Sequence, residues 1–191
     1  MMYFISKWVL WLYMHIAFRI DVKGRENVPD DGPVLLCANH MSNYDPVLLA
    51  VCLKRPVCFI AKKELFKNPF FGLFLRMLRT IPTDRSTTDL KAYRAVLDLL
   101  KKKQAVGVFI QGTRGQEATE AKRGASMFAI KGEAEIIPIG ISANYKPFSK
   151  ATVNIGRQLD LSSYRGLKLK SVLLDEITEQ LMEQIEALRK E

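Results

Sequence analysis

The chain has little with which to build a cross-linked or metal-held fold. Cysteine occurs three times in 191 residues, at Cys37, Cys52 and Cys58. The number is odd and no two share C-x-x-C spacing, so we expect free thiols packed as small core residues in a reducing compartment. Histidine is scarcer still, with His15 and His40 alone. Without an H-x-x-x-H or C-x-x-C cluster there is no structural zinc pattern, and we expect neither a metal nor a tightly bound cofactor. Neither standard glycine-rich nucleotide fingerprint is present, and there is no internal repeat or low-complexity tract. A membrane-spanning helix needs roughly 20 apolar residues in a row. The longest stretch of the N-terminal segment free of charge and histidine is Trp8 to Met14, which is too short.

What is present is a large apolar fraction, 48% of residues, and a formal charge of +9. The first suffices for the core of one domain. The second needs anionic company: nucleic acid, anionic lipid or a phosphorylated substrate. Nucleic acid is the weakest of these, because no basic helix or aromatic stacking sheet is evident.

Residues Met1 to Ile20 are apolar except for Ser6, Lys7, His15 and Arg19, and they include Trp8 and Trp11. Lys7, His15 and Arg19 are spaced by multiples of four, which on a helix makes one narrow polar stripe. This pattern predicts a helix over residues 1–20 lying in the headgroup region of a membrane, ahead of one domain over residues 21–191. The alternative is a soluble helix docked on the core. A secretory signal is not expected, since nothing basic precedes the apolar run and no small-x-small site follows it. Leu65 to Leu78, rich in phenylalanine and flanked by cations, is a second candidate for membrane contact or for an acyl-chain groove.

Short apolar runs predict strands at Val34 to Ala38, Val57 to Ala61, Ala105 to Ile110, Ile136 to Ile141 and Thr152 to Ile155. A helix is expected from a Ser86 or Thr87 cap to about Lys103, with Leu90, Tyr93, Leu97 and Leu100 inside. A second runs from Ser171 to Lys190, with Leu174, Ile177, Leu181, Ile185 and Leu188 on one side. Asp21 to Pro33 reads as a turn-rich link. Strands alternating with helices predict an α/β fold: a single layered domain whose mostly parallel central sheet is flanked by helices. In such folds chemistry sits where loops leave the carboxyl ends of strands.

The chemistry-bearing residues fall in those places. Asn39-His40-Met41-Ser42-Asn43-Tyr44-Asp45 follows the first strand. Histidine suits a general base at neutral pH, and a carboxylate on its far ring nitrogen fixes its tautomer. His40 and Asp45 have that spacing, although an isolated H-x-x-x-x-D is a weak signal. In Ile81-Pro82-Thr83-Asp84-Arg85 a proline turn delivers, just before a helix start, an arginine whose planar fork suits phosphate. Gln111-Gly112-Thr113-Arg114-Gly115 leaves the third strand as a candidate phosphate cradle. Lys122-Arg123-Gly124-Ala125 reads as the start of a short helix whose free N–H groups favour an anion. Ile137-Pro138-Ile139-Gly140 reads as wall.

These blocks, in this order, resemble those of the lysophosphatidate (1-acylglycerol-3-phosphate) acyltransferase family: N-H-x-S-x-x-D, I-P-x-D-R, E-G-T-R and an apolar-Pro-apolar strand. The lead-in Gly24-Arg25-Glu26-Asn27-Val28-Pro29 is similar to the family's G-x-E-N-x-P, so the likeness covers about Gly24 to Tyr145. It implies that His40 is the base and Asp45 its partner, and that Arg85, Thr113 and Arg114 contact the acceptor's phosphate. Asn39, Ser42, Gln111, Gly112 and Lys122 complete the expected substrate-binding set. One departure stands out: Gln111 replaces the family's glutamate, keeping its size but losing its charge.

The implied reaction is acyl transfer from an acyl-CoA or acyl carrier protein thioester to the sn-2 hydroxyl of a lysophospholipid acceptor, lysophosphatidate, giving phosphatidate, on the cytoplasmic face of a membrane. Enzymes acting on glycerol 3-phosphate or another lysophospholipid would share these blocks. A non-enzymatic lipid-binding protein would keep the anchor and the cations but need no ordered His40–Asp45 pair.

Overall fold

The computed structural model describes residues 2–84, 89–110, 116–164 and 170–191. For residue 2 and residues 116–122 the backbone alone is described. The order is α1 (Met2–Ala17), β1 (Arg19–Lys23), β2 (Val34–Ala38), α2 (Asp45–Cys52), β3 (Val57–Lys62), α3 (Pro69–Met77), β4 (Ile81–Thr83), α4 (Leu90–Lys101), β5 (Ala105–Phe109), α5 (Gln116–Lys131), β6 (Glu135–Ala143), β7 (Lys150–Ile155) and α6 (Ser171–Lys190). Seven strands form one sheet in the order β1-β7-β6-β2-β5-β3-β4. Every pairing is parallel except β6 with β7.

The sheet is covered on both faces, and period-two alternation sorts its side chains between them. In β2, Val34, Leu36 and Ala38 join a core with Met14, Phe18, Leu48 and Leu49 of the α1 and α2 side. Leu35 and Cys37 point the other way, toward Val96, Leu100, Ala125, Ile177 and Leu181 of α4, α5 and α6. All five residues of β2 are buried, as a central strand between two helical layers requires. The three cysteines are free and buried. The expected strand at Thr152 to Ile155 and helix at Ser171 to Lys190 are present as β7 and α6. Gly140 lets α6 lie against the sheet, since a Cβ there would come within 2.4 Å of the Leu188 and Arg189 backbone.

Several expectations change. Arg19 and Ile20, assigned to the N-terminal helix, belong to β1, and so does the start of the expected link at Asp21. The expected proline turn at Ile81–Thr83 is the edge strand β4. Helix α4 is capped by Asp89 rather than Ser86 or Thr87, through bonds from the Lys91 and Ala92 N–H groups. Its buried face is Ala92, Val96 and Leu100, and Leu90 is exposed. Lys122-Arg123-Gly124-Ala125 does not open a helix. It lies within α5, so its N–H groups are not those of a helix start.

Helix α1 is docked on the domain along one stripe. Tyr3, Met14 and Phe18 are buried, and the Val57 N–H donates to the Tyr3 hydroxyl at 3.2 Å. Lys7 does not face outward as part of a polar stripe. Its ammonium donates to the Leu53 carbonyl at 2.5 Å and the Lys54 carbonyl at 3.2 Å, capping the carboxyl end of α2. The opposite face of α1 exposes Phe4, Ile5, Trp8, Val9 and Ile16. Beside its amino end lies α3, whose Met77 sulfur meets Ser6 Oγ at 3.9 Å. Phe70, Phe71 and Leu73 of α3 are exposed as well. Among the described residues, no helix is long and apolar enough to cross a membrane.

Candidate active site

The backbone of β2 turns away from the sheet at Asn39. Its carboxamide takes over the ladder, donating to the Ile141 carbonyl at 2.8 Å and accepting from the Ile141 N–H at 2.7 Å. Asn39 is fully buried. The sequence reading placed it in contact with substrate; here it is turned inward, and it fixes where β2 ends against β6. On the other side the Ile110 N–H donates to the Ala38 carbonyl at 3.0 Å. The next residue, His40, therefore leaves the sheet at a fixed point.

The imidazole of His40 sits with its centroid 4.6 Å from that of Phe109, and Phe109 stacks on Phe59 at 5.9 Å. Gly107 makes that arrangement possible. A Cβ there would lie 2.4 Å from the Phe59 ring, so only glycine admits the aromatic across the β3–β5 pair. His40 remains partly open to solvent, and its Nδ1 lies 3.0 Å from Asp45 Oδ2. Asp45 opens α2, with Pro46 in the first turn, where a helix amino terminus favours a carboxylate.

Asp45 is 1% exposed, and four donors surround its carboxylate. Oδ2 accepts from the Met41 and Ser42 N–H groups, both at 2.7 Å, as well as facing His40. Oδ1 accepts from the Tyr145 hydroxyl at 2.5 Å. Burial acts to raise the Asp45 carboxyl. The bonds from His40, Tyr145 and the Ser42 and Met41 amides outweigh it and hold the group below its ordinary value. Burial, then the bond to Asp45, push the Tyr145 phenol well up, so it stays a neutral donor. Ser42 closes the turn, accepting from the Tyr44 N–H at 3.3 Å. A buried carboxylate that orients a half-open imidazole leaves the second ring nitrogen to take a proton.

Register pairs Ala38 with Phe109, so β5 ends level with the strand that delivers His40. Gln111, Gly112, Thr113 and Arg114 lie outside the described residues. So does Arg85, but its flanks are tied together: the Asp84 N–H donates to Asp89 Oδ2 at 2.9 Å, and Lys63 bonds the Asp84 carboxylate. Lys122 lies on α5 with its side chain undescribed, while neighbouring Arg123 forms a two-bond pair with Asp175 of α6, at 2.5 and 2.8 Å. Among the described residues, no group of three or more histidine, cysteine, aspartate or glutamate side chains is placed to hold a metal ion.

The sequence profile of the acyltransferase family matches residues 19–142, the span that builds this edge. The chain belongs to the acyltransferase family. The 1-acyl-sn-glycerol-3-phosphate acyltransferase of Bacillus subtilis (strain 168) is 32% identical to this acyltransferase over 175 residues, covering 88% of this chain and 87% of that protein. The enzyme of the same name from Borreliella burgdorferi is 27% identical over 188 residues, covering 90% and 74%. The crystal structure of the 1-acyl-sn-glycerophosphate acyltransferase PlsC from Thermotoga maritima superposes with a TM-score of 0.71 at 24% identity, over 100% of this chain and 79% of that one. That likeness establishes the shared fold. Within the acyltransferase site, sequence reasoning missed Tyr145, which lies outside every motif block and 100 residues from Asp45. Its signal was its position alone, in the loop after a predicted strand.

Proposed function

We propose that this acyltransferase moves a fatty acyl group from an acyl-CoA or acyl carrier protein thioester to the sn-2 hydroxyl of lysophosphatidate, giving phosphatidate. The observation that carries the reading is the His40–Asp45 pair at the carboxyl edge of the sheet, 3.0 Å apart, with the carboxylate buried and the imidazole half open. The acceptor hydroxyl loses its proton to His40 Nε2 as its oxygen attacks the thioester carbonyl. Asp45 stabilises the imidazolium that forms. Collapse of the tetrahedral intermediate expels the thiolate, which takes the proton back from His40. The acceptor supplies the nucleophile, so no acyl-enzyme is needed. Arg85 and Arg114, with Thr113, bind the acceptor's phosphate. Relatives named as 1-acyl-sn-glycerol-3-phosphate acyltransferases support this acceptor.

The reading extends to the membrane. The acceptor is a lipid, and the exposed aromatic face of α1, the apolar side chains of α3 and the net charge of +9 support a monotopic attachment on the cytoplasmic face.

A thioester-release assay with purified protein, lysophosphatidate and each donor type tests the activity. His40→Ala is expected to abolish transfer while the protein still folds, and turnover within tenfold of wild type would refute the mechanism. Arg85→Ala and Arg114→Ala are expected to weaken use of lysophosphatidate by about 1.5–3 kcal/mol each. They should spare an uncharged monoacylglycerol, and equal loss with both acceptors would make these arginines structural.

A further inference from the structure

The Asp45 carboxylate is held asymmetrically. Oδ2 carries His40 and two backbone amides, all from the segment that enters α2. Among the described residues, Oδ1 has one partner, the Tyr145 hydroxyl, delivered from beyond β6. With Asp45 1% exposed, water does not replace that donor without opening the site. Tyr145 is itself held in place at some cost. Its backbone is in the left-handed region, φ 52°. Its ring stacks on Tyr44 at 5.3 Å and meets Phe18 edge-on at 5.5 Å. A non-glycine residue keeps such a conformation only when its surroundings over-determine it, and such sites cluster where geometry matters.

We propose that Tyr145 is a positioning residue for the acyl-transfer reaction: its hydroxyl locks the Asp45 carboxylate in the rotamer that presents Oδ2 to His40 Nδ1. The inference rests on the acyltransferase reading of the His40–Asp45 pair and adds to it a residue outside the motif blocks. Removing the hydroxyl while keeping the ring leaves Oδ1 buried without a donor. The carboxylate then rotates, or concentrates its charge on Oδ2, and in either case the imidazole is no longer held as before. Tyr44 and Cys52 also lie beside the Tyr145 phenol.

The test is Tyr145→Phe beside Tyr145→Leu. Phenylalanine keeps the packing on Tyr44 and Phe18. We expect it to lower kcat about 10–100-fold, the size of loss seen when the outer hydrogen-bond partner of a metal-bound imidazole is removed, with KM for lysophosphatidate within about twofold of wild type. The acid limb of the kcat/KM profile should move from its wild-type position, because the carboxylate that faces the imidazole has changed. In an Asp45→Asn background the same change should add nothing, because its effect passes through the carboxylate. Wild-type kcat and an unmoved acid limb in Tyr145→Phe, with loss confined to Tyr145→Leu, would reduce Tyr145 to packing and overturn the proposal. If Tyr145→Phe does not fold, Tyr145→His, which keeps a ring N–H donor, is expected to exceed Tyr145→Leu in turnover, and equality would overturn it. Proton NMR of the His40 Nδ1–H separates the two levels of inference. Should wild type not turn over lysophosphatidate, the activity assignment fails. A shift of that proton in the Tyr145 variant still supports the contact with Asp45, and an unmoved proton rejects it.

Discussion

Asp45 concentrates the chemistry of the site, because one buried carboxylate organises a turn, a helix start and an imidazole. Asparagine in its place loses the charge that stabilises an imidazolium, and if its NH2 group faces Met41, Ser42 and His40, donor meets donor. We expect Asp45→Asn to lower kcat about 10³–10⁴-fold through the wrong tautomer and to lower Tm as well. The folded carboxyl lies below its unfolded value, so its contribution to stability is present above about pH 4 and is lost as pH falls through the lower, folded value. Thermal scans should therefore show the Tm gap between wild type and Asp45→Asn narrowing from pH 6 to pH 3, and a constant gap would mean that the charge of Asp45 does not stabilise the fold. His40 and Asp45 were legible in the sequence because their partnership is local, five residues across a turn. Tyr145 was not, because nothing local marks a contact made 100 residues away. Asn39 was legible as part of a motif but not in its direction. A strand-end asparagine can face a ligand or a neighbouring strand, and only the register with Ile141 decides.

At the scale of elements, the central strands were readable because burial on both faces makes them continuous apolar runs. The edge strands were not. In β1, RIDVK alternates with charge and, among the described residues, pairs only with β7, which lies far along the chain. In β4, three residues with a proline read as a turn, and proline is tolerated there because the strand is an edge. Helix α4 misled through its leucines: its buried stripe is Ala92, Val96 and Leu100, and small residues there let the helix approach the sheet. One element pair carries a testable consequence for the site. The β3–β5 pair supports His40 through the stack of Phe59 on Phe109 across Gly107. Gly107→Ala places a methyl 2.4 Å from the Phe59 ring, which must move. We expect a loss of about 1–3 kcal/mol, the usual cost of overpacking, and a fall in kcat as the ring beneath His40 tilts. Calorimetry and turnover on one preparation check this. A destabilised variant with wild-type kcat would show that the ring of His40 is oriented by Asp45 alone.

At the scale of the molecule, α1 is docked on the core, and its contact with a membrane is a proposal. One stripe of the helix docks on the core and the other remains apolar and exposed, so it is part of the domain as well as a candidate membrane contact. Removing it would strip Tyr3 and Met14 from the core, and a deletion would confuse unfolding with release from lipid. Exposed side chains give the cleaner test. Trp8 is 62% exposed and Phe70 is 84% exposed, so serine at either position costs the fold little. If both insert into lipid, each substitution removes apolar burial worth about 1–2 kcal/mol, and the double variant should bind vesicles about 30-fold to 1,000-fold more weakly. The net charge of +9 adds a second dependence, since attraction to anionic lipid is screened by salt while aromatic insertion is not. Flotation on anionic vesicles should therefore weaken as salt rises, and the double variant should lose most of the binding that persists at high salt. Tm and turnover on a detergent-dispersed acceptor should stay near wild type, which separates membrane contact from catalysis. Unchanged flotation of the double variant would place the attachment elsewhere on the surface and leave the aromatic face of α1 unexplained by lipid.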